Sequence, residues 1–365
     1  MTTTVLLVGA RGYGASHRRN LERLGDRVQL LGLVDPADVE ITGFGADARR
    51  WKSLPEAFES GIRPDVVIVA TPTGTHLSLA TLALEHGSDV YVEKPPVVTM
   101  EQFEQLQATQ QRTGRAVQVG FQSFGSHAFA DIAARGAAPE QVTAVAAWGA
   151  WVRDAAYWTR SSWAGKRTLD GVPVVDGVVT NPFAHAVATA LRLAGARRVE
   201  DVASVEVELL RANDIESDDT SSVRITLTDG RIVAVALTLC ADTEYVPVIA
   251  VQSPAGEIRL AYTEDRIEDA SGVSTVGRTD LFEELLDHRD HGTALSSPLE
   301  ESGAFMTVLE AVRTAPDPRP IPADRFAVAG DGLAAHPVIP DAAAWVEKTA
   351  RAGALYSEVD APFAG

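Results

Sequence analysis

Only one of the 365 residues is cysteine. Cys240 therefore has no partner in the chain for a disulfide, and a cysteine-based zinc site would lack ligands. Positive charge is scarce as well. Against 50 Asp and Glu stand 32 Lys and Arg, a formal net charge of -18, and no Lys/Arg cluster offsets it locally. A surface that negative repels nucleic acid and anionic lipid at long range, so neither partner is expected. The acidity is better read as a source of solubility. No apolar run approaches the roughly 20 residues that a membrane helix needs. The Met-Thr-Thr-Thr start enters an apolar strand with no basic segment of the signal-peptide kind, so a cytoplasmic location is expected. Internal repeats and low-complexity linkers are missing too.

What is present is ordinary globular composition, 45% hydrophobic and 22% charged. The length exceeds what one core usually supports, which points to two domains packed directly together. Thr4 to Val8 is a β-branched apolar run that ends in Gly9-Ala10-Arg11-Gly12-Tyr13-Gly14. A helical stretch then runs to Leu24 and stops at Gly25. Further strands are expected at Val28–Val34, Asp65–Ala70, Asp89–Val92 and Ala116–Phe121, with helices near 77–84 and 100–111 between them. Short continuous apolar strands alternating with helices imply a doubly wound parallel sheet buried on both faces, a Rossmann arrangement.

That pattern ends at about residue 122. Long alternating segments take over, at Val142–Val152 and Val202–Leu210. Two more flank Asp229-Gly230, a strong hairpin signal. Residues 123–365 thus read as an α+β domain whose open, mostly antiparallel sheet leaves one face to solvent or a partner. Helices interrupt it at about 181–194, 280–287 and 298–314.

A glycine-rich turn between strand and helix lets backbone N–H groups face a pyrophosphate. Gly9 and Gly14 hold the outer positions of that turn; Arg11 stands at the middle one and Gly12 follows a residue late. Tyr13 completes the turn. Asp35, ending the second strand, can accept hydrogen bonds from both ribose hydroxyls of an adenosine. It would repel a 2′-phosphate, and Pro36, Ala37 and Asp38 bring no positive charge, which favours NAD. Arg11 could lie along the pyrophosphate or reach a 2′-phosphate, and the second option keeps NADP as the lesser alternative. Two further segments sit beyond the carboxyl ends of strands, where open α/β sheets place ligands. These are Thr71-Pro72-Thr73 with His76, and Glu93-Lys94-Pro95.

In these residues the chain resembles the Gfo/Idh/MocA family, that of glucose–fructose oxidoreductase and inositol dehydrogenase. The resemblance runs through Gly9 to His17, Thr71-Pro72 to His76, and Glu93-Lys94-Pro95. It continues through Trp163-Ala-Gly-Lys166, Asp170-Gly171, Asn181-Pro-Phe-Ala-His185 and the closing Leu355 to Ala364. It implies an NAD-binding domain at 1–122, and at 123–365 a domain that binds substrate and forms homodimers or homotetramers. The implied activity is hydride transfer at a hydroxyl or keto carbon of a sugar, cyclitol or related polyol. Lys94 matches the lysine that hydrogen-bonds the reacting oxygen, and His185 the histidine that moves its proton. The chemistry agrees: hydride leaves a carbinol carbon readily only as the hydroxyl proton departs, which needs a base near neutral pKa. A cationic lysine stabilises the developing alkoxide.

Two departures from the family matter. Four residues before the histidine many relatives have aspartate, and this chain has Asn181. Either Asp176 takes over that duty or the proton chemistry differs. After the strand at 116–121, Gln122-Ser123-Phe124 stands where many relatives have an arginine nearby, so substrate recognition should differ. Tyr157, Trp158, Arg160, Trp163 and Lys166 form an aromatic and basic segment suited to a sugar-like ligand, with Trp163 a candidate to flank the nicotinamide. A folded loop with core tryptophans is the plainer account of the same residues. Asp287-His288-Arg-Asp290-His291 has metal-ligand residue types but reads as a solvated helix end, and hydride transfer needs no metal. Two other functions stay open at this point: a glycoside-cleaving or isomerising enzyme that retains its NAD, and a nucleotide sensor without chemistry.

Overall fold

The computed structural model describes residues 2–40 and 48–365. Contacts divide the chain into two compact units: one runs up to Phe121 and adds Asp280–Glu300, the other comprises Gln122–Thr279 and Glu301–Gly365.

The first unit begins β1 (Thr3–Val8), α1 (Gly14–Leu24), β2 (Val28–Val34), β3 (Arg49–Trp51) and α2 (Leu54–Glu59). It continues with β4 (Val66–Val69), α3 (His76–Glu85), β5 (Asp89–Val92), α4 (Met100–Thr113) and β6 (Val117–Val119). The six strands pair in the order β3-β2-β1-β4-β5-β6, all parallel. β4 and β5 are buried at every position, which is why β4 reads as an unbroken apolar run and β5 as one that follows Asp89. The chain reverses direction across the sheet between β1 and β4, and loops leaving the carboxyl ends of these two strands face the crevice where such sheets take ligands. Two elements escaped the sequence reading. β3 is Arg-Arg-Trp, with no apolar run to signal it. α2 is only six residues long and starts on Ser53, whose side chain accepts from the Glu56 amide.

The second unit opens with α5 (Ala128–Ile132), β7 (Ala144–Ala150), α6 (Ala155–Thr159), the small hairpin β8 (Thr168–Leu169) and β9 (Val172–Pro173), and α7 (Ala184–Leu193). Strands β10 (Val202–Arg211), β11 (Thr220–Leu227), β12 (Ile232–Thr238), β13 (Val248–Ser253), β14 (Gly256–Ala261), β15 (Arg266–Asp269) and β16 (Gly272–Thr275) follow. Next comes α8 (Leu281–His291), which belongs to the first unit. Then come α9 (Gly303–Thr314), β17 (Arg319–Pro320), the pair β18 (Ala327–Ala329) and β19 (His336–Val338), and α10 (Ala342–Arg351).

The large sheet runs β16-β15-β14-β13-β7-β12-β11-β10-β17. Its neighbours are antiparallel except β7–β12 at the centre and β10–β17 at one edge. The Asp229-Gly230 hairpin between β11 and β12 forms as its residues suggest, with Gly230 at φ +86°. One expectation is corrected: the outer face is not left bare at its centre. Trp148 and Ala150 of β7 and Ala236 of β12 pack against Val346 and Ala350 of α10 and against Tyr356 and Phe363 of the closing segment. Gly149, between the two β7 residues, abuts the Phe183 ring beside α7. Alternation along a strand puts these contacts on opposite faces, so the chain's own last turns cover the middle of the sheet. Small residues there (Ala146, Ala150, Ala236) let the helix approach closely.

Residues 280–300, which the sequence pattern assigns to the second domain, make their contacts within the first unit. α8 starts on Asp280, whose carboxylate accepts from the Phe282 and Glu283 amides, and it ends at Gly292 with φ +71°. Leu281, Phe282, Leu285 and Leu286 join Leu21, Leu24, Ile68 and Tyr91 in one buried cluster. Arg289 ties the same helix to Asp65 and Asp89.

On the rim of the large sheet Glu257 accepts two hydrogen bonds from Arg351 of α10, at 2.9 and 3.0 Å, and one from Arg259. The Arg351 bonds above all hold its carboxyl at about 2, below the usual 4.5. A carboxyl with a depressed folded pKa stabilises the fold above its unfolded pKa and loses that contribution as pH falls through the folded value. Glu257→Gln is therefore expected to lower the thermal midpoint at pH 6 by an amount equivalent to about 1 kcal/mol. The gap from wild type should narrow as pH falls from 4.5 toward 2. An equal gap at pH 6 and pH 3 would mean the pair adds nothing.

Candidate functional site

β1 delivers the chain into the glycine turn, and the turn is shaped by steric need at two residues. Gly9 sits at φ +85°, and a β-carbon there would come 2.4 Å from the Ala70 carbonyl oxygen. A β-carbon on Gly14 would lie 1.9 Å from the carbonyl oxygen of Gly9. The turn is thus folded against the end of β4 and against itself, and the Gly14 and Ala15 amides that open α1 donate back to the Arg11 and Gly12 carbonyls at 2.9 and 3.1 Å. Gly12, at φ +55°, has nothing within 4 Å of where a β-carbon would stand. Tyr13 is 52% exposed beside it.

Asp35 locks this turn to the end of β2. One carboxylate oxygen accepts from the Ala10 amide at 3.1 Å, the other from the Ala37 amide at 2.9 Å. Arg11 lies 3.4 Å from the same carboxylate, with its own side chain largely in solvent. Beyond Asp35 is a cavity of about 550 Å³, lined also by Leu33, Arg49, Arg50, Trp51 and Lys52. β3 brings cations here that local sequence did not reveal. Lys52 pairs with Asp38 at 2.5 Å, and Arg50 donates to the Val39 carbonyl at 2.8 Å. Lys52 holds the Asp38 carboxyl below its usual range. The glycine turn, the fixed carboxylate and an adjoining cavity fit the pyrophosphate and adenosine of NAD.

The lysine loop lies in the same unit. Lys94 follows β5, half-buried, between two buried and anchored neighbours. On one side Glu93 meets His17 of α1, Oε1 to Nε2 at 2.7 Å. A carboxylate only accepts, so His17 donates. A β-carbon on Gly120 would come within 2.9 Å of that carboxylate, so Glu93 is seated directly on the backbone after β6. On the other side His76, the first residue of α3, places Nδ1 3.0 Å from the Pro95 carbonyl and Nε2 2.8 Å from that of Thr71. Burial pushes the His76 pKa down, against the two carbonyls and Glu93, which favour the cation. Thr71 and Thr75 share a hydroxyl hydrogen bond at 2.7 Å, which shapes the turn through Pro72 and Thr73. His17 carried only motif spacing in the sequence; its pairing with Glu93, 76 residues on, had no local signal.

In the second unit, a loop from Val175 to Asn181 leads into α7, with His185 in its first turn. Asp176 is 3% exposed and accepts from three donors: the Asn181 amide at 2.5 Å, the Gly165 backbone at 2.8 Å and Arg160 at 3.2 Å. Asp176 does join Asn181, as a buried acceptor for its side chain. His185 Nδ1 stands 3.5 Å from the Ser123 hydroxyl, which accepts from Thr189 at 2.8 Å. Ser123 belongs to the helical turn that Gln122 begins.

Val175 holds φ +53°, a left-handed conformation costly for a β-branched residue. The loop is pressed onto Asp218, a buried residue that no sequence feature had marked. A β-carbon on Gly177 would fall 1.8 Å from its carboxylate, and its backbone carbonyl accepts from the Val178 amide at 2.9 Å. Burial pushes the Asp218 carboxyl up, and Ser221 donates to it at 2.8 Å.

The Arg160 guanidinium lies 3.6 Å from the Tyr157 ring centre and 4.7 Å from that of Trp163, so these three form one stack. Lys166 is drawn off to Glu216 at 2.7 Å. The Asp287–His291 segment is the last turn of α8, where the His288 ring faces the Thr293 carbonyl. Among the described residues no group of three or more His, Cys, Asp or Glu could hold a metal ion, and no helix is long and apolar enough to cross a membrane.

Residues 3–121 match the family model described as an oxidoreductase family with an NAD-binding Rossmann fold. The chain is 30% identical over 129 residues to scyllo-inositol 2-dehydrogenase (NAD(+)) of Bacillus subtilis, covering 35% of this chain and 37% of that one. It is 36% identical over 96 residues to D-glucoside 3-dehydrogenase of Escherichia coli, 25% of this chain and 27% of that one. These matches thus span about a third of the relatives' length or less. Over 86% of the chain, the fold is similar to the WlbA dehydrogenase of Bordetella pertussis solved with NADH and UDP-GlcNAcA, with a TM-score of 0.69, 19% identity and 95% of that chain covered. Residues 3–121 are thus similar to the NAD-binding Rossmann domain of that oxidoreductase family, and the similarity in sequence covers about a third of the chain.

Proposed function

We propose that the protein is an NAD-dependent oxidoreductase that interconverts a hydroxyl and a keto carbon on a sugar, cyclitol or related polyol. The observation that carries this reading is the lysine loop. Its Glu93 and Pro95 are tied through His17 and His76 to the helix after the glycine turn and to the Thr71 loop. Bound NAD would be held by the glycine turn, Asp35 and the Thr71–Thr73 loop, and would supply the hydride acceptor. Lys94 is assigned to the reacting oxygen, where an ammonium orients the hydroxyl and stabilises the alkoxide that forms as its proton leaves. His185 is assigned to take that proton. Asp176 and Asn181 position the loop that leads to it. The stacked Tyr157, Arg160 and Trp163, with Gln122 and Lys166, are assigned to substrate recognition, where aromatic faces and cations suit hydroxylated rings. A homodimer or homotetramer goes with the same reading, and Val273, 63% exposed on β16, leaves apolar surface for such an assembly.

The test is incubation with NAD and a panel of sugars, cyclitols, sugar acids and glycosides, following reduced-nicotinamide absorbance and product release together. NADH formation with one class is expected, with kcat lowered about a hundred- to ten-thousand-fold in His185→Ala. Wild-type turnover in that variant would remove His185 from the chemistry. Glycoside cleavage without NADH accumulation would replace net oxidation by a mechanism that retains its cofactor.

A further inference from the structure

We propose that His17 and His76 are positioning residues that couple cofactor engagement to the placement of Lys94, an inference resting on the reading of Lys94 as the group that handles the substrate oxygen. Each histidine touches one cofactor-side segment and one neighbour of Lys94. His17 packs edge-on against Tyr13 of the glycine turn, ring centres 5.5 Å apart, and hydrogen-bonds Glu93. A second edge contact, to Tyr91 at 5.3 Å, fixes its ring from the β5 side. His76 faces the Thr71 carbonyl with one nitrogen and the Pro95 carbonyl with the other. Both rings are nearly inaccessible, at 4% and 1% exposure, so neither is available to contact substrate. Their polar atoms serve these two loops instead.

The two links differ in kind. His17–Glu93 is a charge-assisted bond whose acceptor is wedged against Gly120, so it is rigid. His76 is held toward the neutral form by burial, and a neutral ring carries one N–H. Both of its nitrogens stand at hydrogen-bond distance from a carbonyl, Nε2 from the cofactor-side Thr71 and Nδ1 from the lysine-side Pro95, so the single N–H satisfies one of them and is lost to the other. A movement of either cofactor-side segment is therefore transmitted to the residues on both sides of Lys94. A shift of about 1 Å in a reacting group costs about a hundredfold in rate, which makes such coupling consequential.

The chain has four lysines, Lys52, Lys94, Lys166 and Lys348, so 13C reductive methylation of the full-length protein yields few lysine signals. Lys94→Met assigns the one of interest. In wild type, saturating NAD is expected to move the Lys94 signal. In His17→Leu and His76→Phe that movement should fall to about a third or less, with the Kd for NAD within about threefold of wild type. His17→Gln, which keeps a donor toward Glu93, should restore most of the response. If phenylalanine at 76 prevents folding, His76→Gln keeps a donor for Thr71 and abandons Pro95, and carries the same expectation. On any compound found to be oxidised, His17→Leu should lower kcat about ten- to a hundredfold and leave KM for NAD nearly unchanged.

Three outcomes overturn the proposal: a Lys94 signal indifferent to NAD in wild type, a wild-type response in both disruptive variants, or His17→Gln as impaired as His17→Leu. The spectroscopic arm needs no turnover. Silence across the substrate panel would therefore count against the proposed reaction and leave the coupling to be decided by the Lys94 signal alone.

Discussion

Lys94→Met is expected to lower kcat about a hundred- to ten-thousand-fold on any substrate that wild type oxidises, with NAD affinity nearly unchanged. At 1.36 kcal/mol per factor of ten, the loss corresponds to about 3–5 kcal/mol of transition-state stabilisation. The split between rate and binding follows from the local structure. Glu93 and Pro95 are anchored by groups other than the Lys94 side chain, so the loop keeps its path when the ammonium is removed. Methionine is of similar length and fills the same half-buried space without charge or donor. On the proposed assignment, what is lost is the charged hydrogen bond to an oxygen that becomes more negative as the reaction proceeds. Arginine should not restore it, because a planar fork cannot stand in for a compact point charge in a loop this closely held. A Lys94→Met enzyme with turnover within tenfold of wild type, measured at saturating substrate, would move the proposed oxygen ligand elsewhere.

Gly14→Val should abolish most NAD binding, by about a hundredfold or about 2.7 kcal/mol, and lower the thermal midpoint as well. The obstacle is a carbonyl oxygen 1.9 Å from the new β-carbon, part of the backbone of Gly9, which itself cannot retreat from Ala70. Relief requires α1 to move, and α1 carries His17, Leu21 and Leu24 into the interior. Gly12→Ala is the contrasting change. It meets nothing within 4 Å, and its cost is the left-handed conformation alone, about 1 kcal/mol. NAD titration followed by fluorescence, with a thermal scan of each variant, separates the two. If folded Gly14→Val bound NAD as wild type does, the turn would not be the cofactor cradle.

By itself the sequence determined whatever depends on neighbours a few residues apart. Continuous apolar runs against 3.6-residue periodicity marked β1, α1, β2, β4, β5 and α4, because burial on both faces or on one helical stripe leaves its own spacing. Asp229-Gly230 announced its hairpin, and the glycine turn with Asp35 made a nucleotide site the expectation, since each needs a conformation or charge that few residues provide. Lys94 and His185 were legible only as members of spaced motifs.

Tertiary structure alone decided the long-range pairings. α8 joins a sheet completed some 160 residues earlier, and its own amphipathic pattern names no partner. β7 lies parallel to β12 at the centre of a sheet whose alternation would suit either direction. β3, too polar to look like a strand, brings Arg49 and Arg50, and Lys52 just after it, to the cavity beside Asp35. α10 covers a sheet face that strand periodicity could only mark as apolar. His17 finds Glu93, and Asp218 finds the loop before His185, through packing that no local spacing encodes. Hydrophobic pattern states that a surface must be buried; shape complementarity among the finished elements selects what buries it, and with it which polar groups meet.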